Sequence, residues 1–264
     1  MRSPKRLAEE TYARLFGRPA FRRLNSFLFK LGARGLGLLN GEPSLTGEMG
    51  ALRTCLADLD APVVFDVGAN KGDWSRAVLQ QRPAASLHVF EPSPALAEIL
   101  RRALPGAAVN LAAVGATPGT ATLHSYAEDP TSEHASLHRA VMSDLHQAKE
   151  IVSWDVPVVT LDGYCADHGV HRIDLLKIDV EGGEYDVLLG AKGLLEGKRV
   201  DRVQFEFNEM NTISRRFFAD FADLLADFEL YRILPVGLLP LKGAAPWKRE
   251  QFIFQNILAL RPPS

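Results

Sequence analysis

The chain has 264 residues, 47% of them hydrophobic and 23% charged, with a formal net charge of -2. This is globular composition, long enough for a full core, and the charge balance excludes a chain that is basic throughout, as nucleic-acid binding would favour. Cys55 and Cys165 lie far apart and form no CxxC pair, which excludes a disulfide framework and points to a reducing, cytoplasmic setting.

Residues 8–39 read as helical, because Phe21, Leu24, Leu28 and Leu31 recur at helix spacing with Arg22, Arg23, Ser26 and Lys30 off that stripe. The stretch 2–34 holds Glu9 and Glu10 as its only acids. A basic amphipathic helix can touch an anionic membrane surface or a glycolipid, but the expectation is a helix packed on the domain with its arginines in water. No apolar run approaches the ~20 residues of a membrane span, and no continuous apolar core follows the basic residues as a signal peptide requires. Glycines and Asn40 then break the pattern. Thr46 is placed to cap a second helix, with Glu48 and Met49 in its first turns and Leu52, Leu56 and Leu59 as its stripe. Residues 1–60 are thus expected to form a helical extension, and residues 61–264 the main domain.

After Pro62 the texture changes. Residues 63–67 predict a strand, 73–81 a helix, 87–90 a second strand, 94–104 a helix capped by Ser93, and 109–114 a third strand. Residues 127–153 are polar and histidine-rich without a clean period, which predicts a long insertion or lid. A fourth strand is expected at 173–179, a helix at 185–195, a fifth strand at 202–207 and a helix at 217–228. Residues 230–234 and 255–260 are expected to close the fold as an antiparallel pair. Strands alternating with helices predict an α/β domain whose parallel sheet is covered by helices.

The sharpest motif is Phe65-Asp66-Val67-Gly68-Ala69-Asn70-Lys71-Gly72, an apolar strand running through an acid into a glycine turn and a helix. A dinucleotide site would want a glycine where Asn70 stands, and an acid just before the turn suits a cationic ligand better than a pyrophosphate. The second strand ends in Phe90-Glu91-Pro92, which puts Glu91 where an acid can accept hydrogen bonds from ribose hydroxyls. In Leu176-Lys177-Ile178-Asp179-Val180-Glu181, alternation sets Lys177, Asp179 and Glu181 on one face; in the fifth strand it does the same for Gln204, Glu206 and Asn208. Charges at the end of an apolar central strand are costly unless paired or functional, so an ion pair of Lys177 with Asp179 or Glu206 is the structural alternative. His134, in the polar insertion, is a candidate proton acceptor. No local spacing demands a metal.

With these blocks, and with Thr160-Leu161-Asp162, Gly182-Gly183-Glu184 and the closing Asn256-Ile257-Leu258-Ala259-Leu260, the chain resembles the FkbM family of S-adenosylmethionine-dependent methyltransferases over about residues 63–260. The resemblance implies a seven-stranded, Rossmann-like class I methyltransferase sheet with the last strand antiparallel. It implies S-adenosyl-L-methionine as cofactor and methyl transfer to oxygen on a small-molecule or glycan acceptor. It sets Asp66 and Gly68, in the turn with Asn70 and Gly72, by the methionine part of the cofactor. It sets Glu91 by the ribose, Asn110 and Ala112 by the adenine, and Asp179 facing the sulfonium. Asp179 is the expected general base, with His134 as rival. Lys177 is expected to hold the acceptor oxygen or ease the cost of the carboxylates, and Glu206 to orient Lys177 or the substrate. The resemblance carries nothing catalytic over to the segment before about residue 60. The competing readings are a nicotinamide- or nucleotide-sugar-linked oxidoreductase, a cofactor-binding scaffold without turnover, and methylation of nitrogen.

Overall fold

A computed structural model describes residues 3–128 and 135–262. The chain opens with α1 (Pro4–Phe16) and α2 (Arg22–Gly35), joined by a 3-10 turn at Pro19–Phe21. Ser3 caps α1 by accepting from the Arg6 amide, and Pro4 sits at the first helical position, where its missing N–H costs nothing. The expected packing of this stretch on the domain is not observed: α1 buries no residue and α2 buries only Ala33. α3 (Glu48–Leu56) is different, since Ala51, Leu52, Cys55 and Leu56 are buried and join the core that lies over one face of the sheet. No helix among the described residues is long and apolar enough to cross a membrane.

The α/β pattern starts with β1 (Val63–Val67), α4 (Asp73–Gln81), β2 (Ser86–Phe90), α5 (Pro94–Ala103) and β3 (Ala108–Asn110). The expected third strand is in fact two, because the chain leaves the sheet after Asn110 and β4 (Ala113–Val114) belongs to a second sheet. β5 (Gly119–Tyr126) and β6 (Ile151–Val159) complete that second sheet in the order β4-β6-β5. The polar insertion therefore bridges two antiparallel strands, and it carries a π-helical turn at Val141–Leu145 that buries Val141 and Met142.

Next come α6 (Leu161–Asp167), β7 (Leu175–Ile178), α7 (Glu184–Leu189), α8 (Lys192–Glu196), β8 (Arg202–Phe207), α9 (Asn211–Ser214), α10 (Phe218–Leu224), β9 (Glu229–Ile233), β10 (Leu238–Pro240), α11 (Pro246–Arg249) and β11 (Gln255–Leu260). The single helix expected at 185–195 is broken into α7 and α8 at Gly190, where a Cβ would meet the Gly115 carbonyl oxygen at 2.1 Å.

The main sheet runs β10-β9-β11-β8-β7-β1-β2-β3. β3, β2, β1, β7 and β8 are parallel, and β11 lies antiparallel between β8 and β9. This is the α/β sheet that the resemblance implies, with eight strands instead of seven, because the short edge strand β10 folds back on β9. Strand order reverses between β1 and β7, so ligands are expected at the carboxyl ends of those two strands. Phe65, Val67, Leu176, Ile178, Val203 and Phe205 face one core; Val64, Leu175 and Leu258 face the other, under α3 and α4.

Candidate active site

The strand alternation that builds the second core also builds a polar row. Asp66, Lys177 and Gln204 are register neighbours on β1, β7 and β8, and Glu206 pairs with Asn256 of β11. They sit on the face covered by α3 and α4. Asp66 is 0% exposed; it accepts from the Ser75 hydroxyl of α4 at 2.7 Å and lies 3.4 Å from the Lys177 ammonium. Lys177 is also 3.2 Å from Asp179, whose side chain is 41% exposed just beyond the end of β7. Burial alone would pull the Lys177 ammonium down, but the carboxylates of Asp179, Asp66 and Glu48 outweigh it and hold its pKa above the ordinary lysine value. The buried charge of Lys177 is thus paired, and it holds Asp179 at the mouth of the strand ends.

A cavity of about 1050 Å³ opens there. The turn after β1 forms one wall. Gly68 (φ +80°) is required by a close approach, since a Cβ would meet the Asp179 carbonyl oxygen at 1.8 Å. Asn70 follows in the left-handed region (φ 52°); its amide donates to Glu91 Oε2 at 2.9 Å, and its own buried side-chain oxygen has no partner. Trp74 on the same wall likewise buries an indole N–H with no partner. Buried polar atoms are nearly always satisfied, so an open acceptor and an open donor on one cavity wall mark a place for a polar ligand. Glu91, at the end of β2, also accepts from the Ser93 amide at 2.9 Å. Burial pushes its carboxyl up to about 7, only partly offset by the Ser93 and Asn70 hydrogen bonds.

Ala112 lines the cavity, whereas Asp66, Gly72 and Asn110 are not among its lining residues. Asp66 stands behind the wall, used up by Ser75 and Lys177. Gly72 faces α5, where a Cβ would meet Leu100 at 2.6 Å. Asn110 spends its amide on the Val89 and Ala108 carbonyls and on the Tyr164 hydroxyl. All three shape the turn and strand ends from behind the wall. Of the catalytic candidates, Lys177, Asp179 and Glu206 meet at the cavity. Glu206 does not pair with Lys177; it accepts from the Asn208 side chain at 2.6 Å, and burial with Asp179 and Glu181 nearby pushes its pKa well up. His134 lies outside the described residues.

Sequence reasoning missed one further wall, and a second comes from the insertion that it read as a lid. Glu48 of α3 reaches the cavity and accepts from Gln204 at 2.7 Å, and burial raises its pKa despite Lys177 nearby. With Gly41, Pro43 and Thr46, it brings the segment before residue 60 into the cavity lining, a segment to which the resemblance assigned no residue. The insertion supplies Leu137, His138 and His146, and it is clamped to the turn after β7 where the Ser136 hydroxyl donates to the Glu181 carbonyl at 2.7 Å. Glu184 ties the same turn by accepting from the Val180 and Gly182 amides, and burial pushes its carboxyl up to about 7.

A family model described as the methyltransferase FkbM domain matches residues 66–232, from near the end of β1 to near the end of β9. The chain belongs to the FkbM family of methyltransferases. The 2-O-methyltransferase NoeI of Sinorhizobium fredii is 31% identical over 186 residues, which cover 67% of this chain and 76% of that protein. The methyltransferase sdnD of Sordaria araneosa is 30% identical over 159 residues, 49% of this chain and 60% of that one. The 31-O-demethyl-FK506 methyltransferase FkbM of Streptomyces tacrolimicus is 27% identical over 173 residues, 56% of this chain and 66% of that one. For this FkbM-family methyltransferase, the family match spans the β1 turn, Glu91 and the β7–β8 polar row, but not Glu48 or the rest of the N-terminal segment.

Proposed function

We propose that the chain is an S-adenosylmethionine-dependent O-methyltransferase acting on a hydroxyl of a sugar, glycolipid or related natural product. The observation that carries this reading is the half-exposed carboxylate of Asp179, held 3.2 Å from buried Lys177 at the mouth of a cavity whose lining also carries Asn70, with its unpartnered side-chain oxygen, and the buried Glu91. The volume exceeds what a cofactor alone needs, leaving room for an acceptor. The wall fits this methyl donor. Gly68, Asn70 and Ala112 would line its site, and Glu91, with lone pairs to spare beyond its two amide donors, would accept from the ribose hydroxyls. When bound, it supplies a methyl group on a positively charged sulfur.

The protein's own share is positioning and proton removal. A hydroxyl is a poor nucleophile until its proton begins to leave, and Asp179 takes that proton. Lys177, held charged by Asp66, fixes the Asp179 carboxylate in place. Glu206, held by the Asn208 side chain at the cavity wall, helps orient the acceptor. The names of the two O-methyltransferase relatives support oxygen as the accepting atom. The test is methyl transfer from labelled donor to a panel of glycosides and glycolipids by the wild type and by Asp179→Asn. The account expects turnover to fall by on the order of a hundredfold or more with donor affinity kept. Unchanged turnover removes Asp179 from the role.

A further inference from the structure

The two opening helices are the part of the molecule least explained by the fold. More than half of the large apolar side chains exposed among the described residues fall between Leu7 and Leu36. On α2, Leu24, Phe27, Leu28 and Leu31 follow one another at helical spacing and form one stripe, with Phe27 58% and Leu31 53% exposed. Ala33, the helix's only buried residue, lies roughly half a turn away, so the apolar stripe is turned outward. On α1, Leu7 and Leu15 are exposed too. The pair is fastened to itself: Tyr12 donates to Asn25 at 2.6 Å, Asn25 donates to the Phe16 carbonyl at 2.9 Å, and Phe16 packs edge-on against Phe21. The result is a preformed helical corner whose apolar stripes have no partner among the described residues.

The charge says what kind of partner fits. Over residues 3–36, eight lysines and arginines stand against Glu9 and Glu10, while the chain as a whole is at -2. Arg23 and Lys30 run along one flank of the α2 stripe, where long basic side chains can reach up to phosphates while the stripe enters the acyl boundary; Arg34 on the same flank is paired with Glu42 at 3.6 Å. A second copy of the same face would bring like charges together, which disfavours a symmetric dimer. The geometry points to α1 and α2 as a docking surface for an anionic lipid bilayer, lying in the plane of its interface without crossing it. This inference stands independently of the acceptor. From α2 the chain passes directly, by Leu36–Gly41, to the cavity wall, with Leu39 donating to the Phe254 carbonyl at 3.0 Å on the way, so docking brings the site to the lipid surface.

The test is flotation of the full chain with vesicles of phosphatidylcholine alone and of phosphatidylcholine mixed with phosphatidylglycerol, at low and raised salt, beside light scattering without lipid. The wild type is expected to float with the anionic vesicles, less at raised salt, and hardly at all with the neutral ones. The double variant Phe27→Glu/Leu31→Glu is expected to bind on the order of a hundredfold more weakly. Arg23→Glu/Lys30→Glu is expected to lose on the order of tenfold or more. These side chains are exposed, so both variants should keep the wild-type melting temperature, and the lipid result is read on folded protein. No flotation of the wild type, equal flotation by the apolar variant, or a dimer in solution that Phe27→Glu/Leu31→Glu dissolves would overturn the proposal; the last would make the face a contact between copies.

Discussion

Helices α5 and α2 are both amphipathic, yet α5 buries Leu96, Ala97 and Leu100 in the fold, whereas α2 buries Ala33 alone and leaves Leu24, Phe27, Leu28 and Leu31 outside. Leu100 sits among Val64, Val78, Val89 and Leu104, between sheet and helix layer. Both patterns say that a face wants cover; neither says where the cover comes from. α5 is tied into the sheet by strands on both sides of it in the chain. α2 has only one such anchor, the segment that leads on to α3. Apolar periodicity is therefore a statement about demand, and the connectivity around it decides whether the chain itself supplies the partner.

The sharpest way to break the ordered side of this comparison is Gly68→Ala. A Cβ there meets the Asp179 carbonyl oxygen, and the backbone is left-handed, so the variant should lose more than about 4 kcal/mol in urea unfolding, together with ligand binding. A stable Gly68→Ala protein would mean that the β1 turn does not press against β7 as described. Next in size, Leu100→Ala should cost ~3 kcal/mol through the cavity it leaves. Leu28→Ala on the exposed stripe of α2 should shift stability by no more than about 0.5 kcal/mol. Similar losses in the two would show that α2 is covered after all.

Much of the site was readable in the chain because charge in a central strand is expensive and so rarely accidental. Lys177, Asp179 and Glu206 stood out on that ground and do meet at one cavity. Gly68 and Glu91 stood out because a strand running into a glycine turn, and a strand ending in an acid, have few uses. The resemblance set Asp66 and Asn110 beside the cofactor, and neither is among the residues that line the cavity, since a motif fixes a position in the strand but not its depth. Glu48 gave no signal, since an acid in the first turn of a helix is equally at home there as a partner for the helix dipole. The second sheet was hidden because Thr120, Thr122, His124 and Ser125 on β5 and Ser153 and Asp155 on β6 dilute the apolar alternation of strands with one open side. The break at Gly190 depends on Gly115, far off in sequence, and no local pattern can carry that.

A smaller effect sharpens the comparison from the side of charge. The Glu91 carboxyl is pushed up to about 7, so it loses its proton near neutrality. A ligand whose hydroxyls donate to the ionised form binds better above that point, and its affinity falls as pH drops through it. S-adenosylhomocysteine should therefore bind about tenfold more weakly at pH 6 than at pH 8, and Glu91→Gln should flatten the profile. Protein stability runs the other way. Glu91 and Glu184 hold their protons more tightly folded than unfolded. Their contribution is therefore largest below the ordinary carboxylate range and is lost as pH rises through about 7, by roughly 1 kcal/mol or more for the pair in unfolding titrations. A stability profile that rises across this interval in the wild type and not in Glu91→Gln/Glu184→Gln would contradict the assigned burial.

The central claim, that the cavity at the ends of β1, β2 and β7 holds a sulfonium methyl donor, is tested most directly by calorimetric titration of the purified chain with S-adenosylhomocysteine, run beside NADH. The account predicts saturable binding of S-adenosylhomocysteine with micromolar affinity and no heat from NADH. Binding of NADH alone, or of neither, would contradict it.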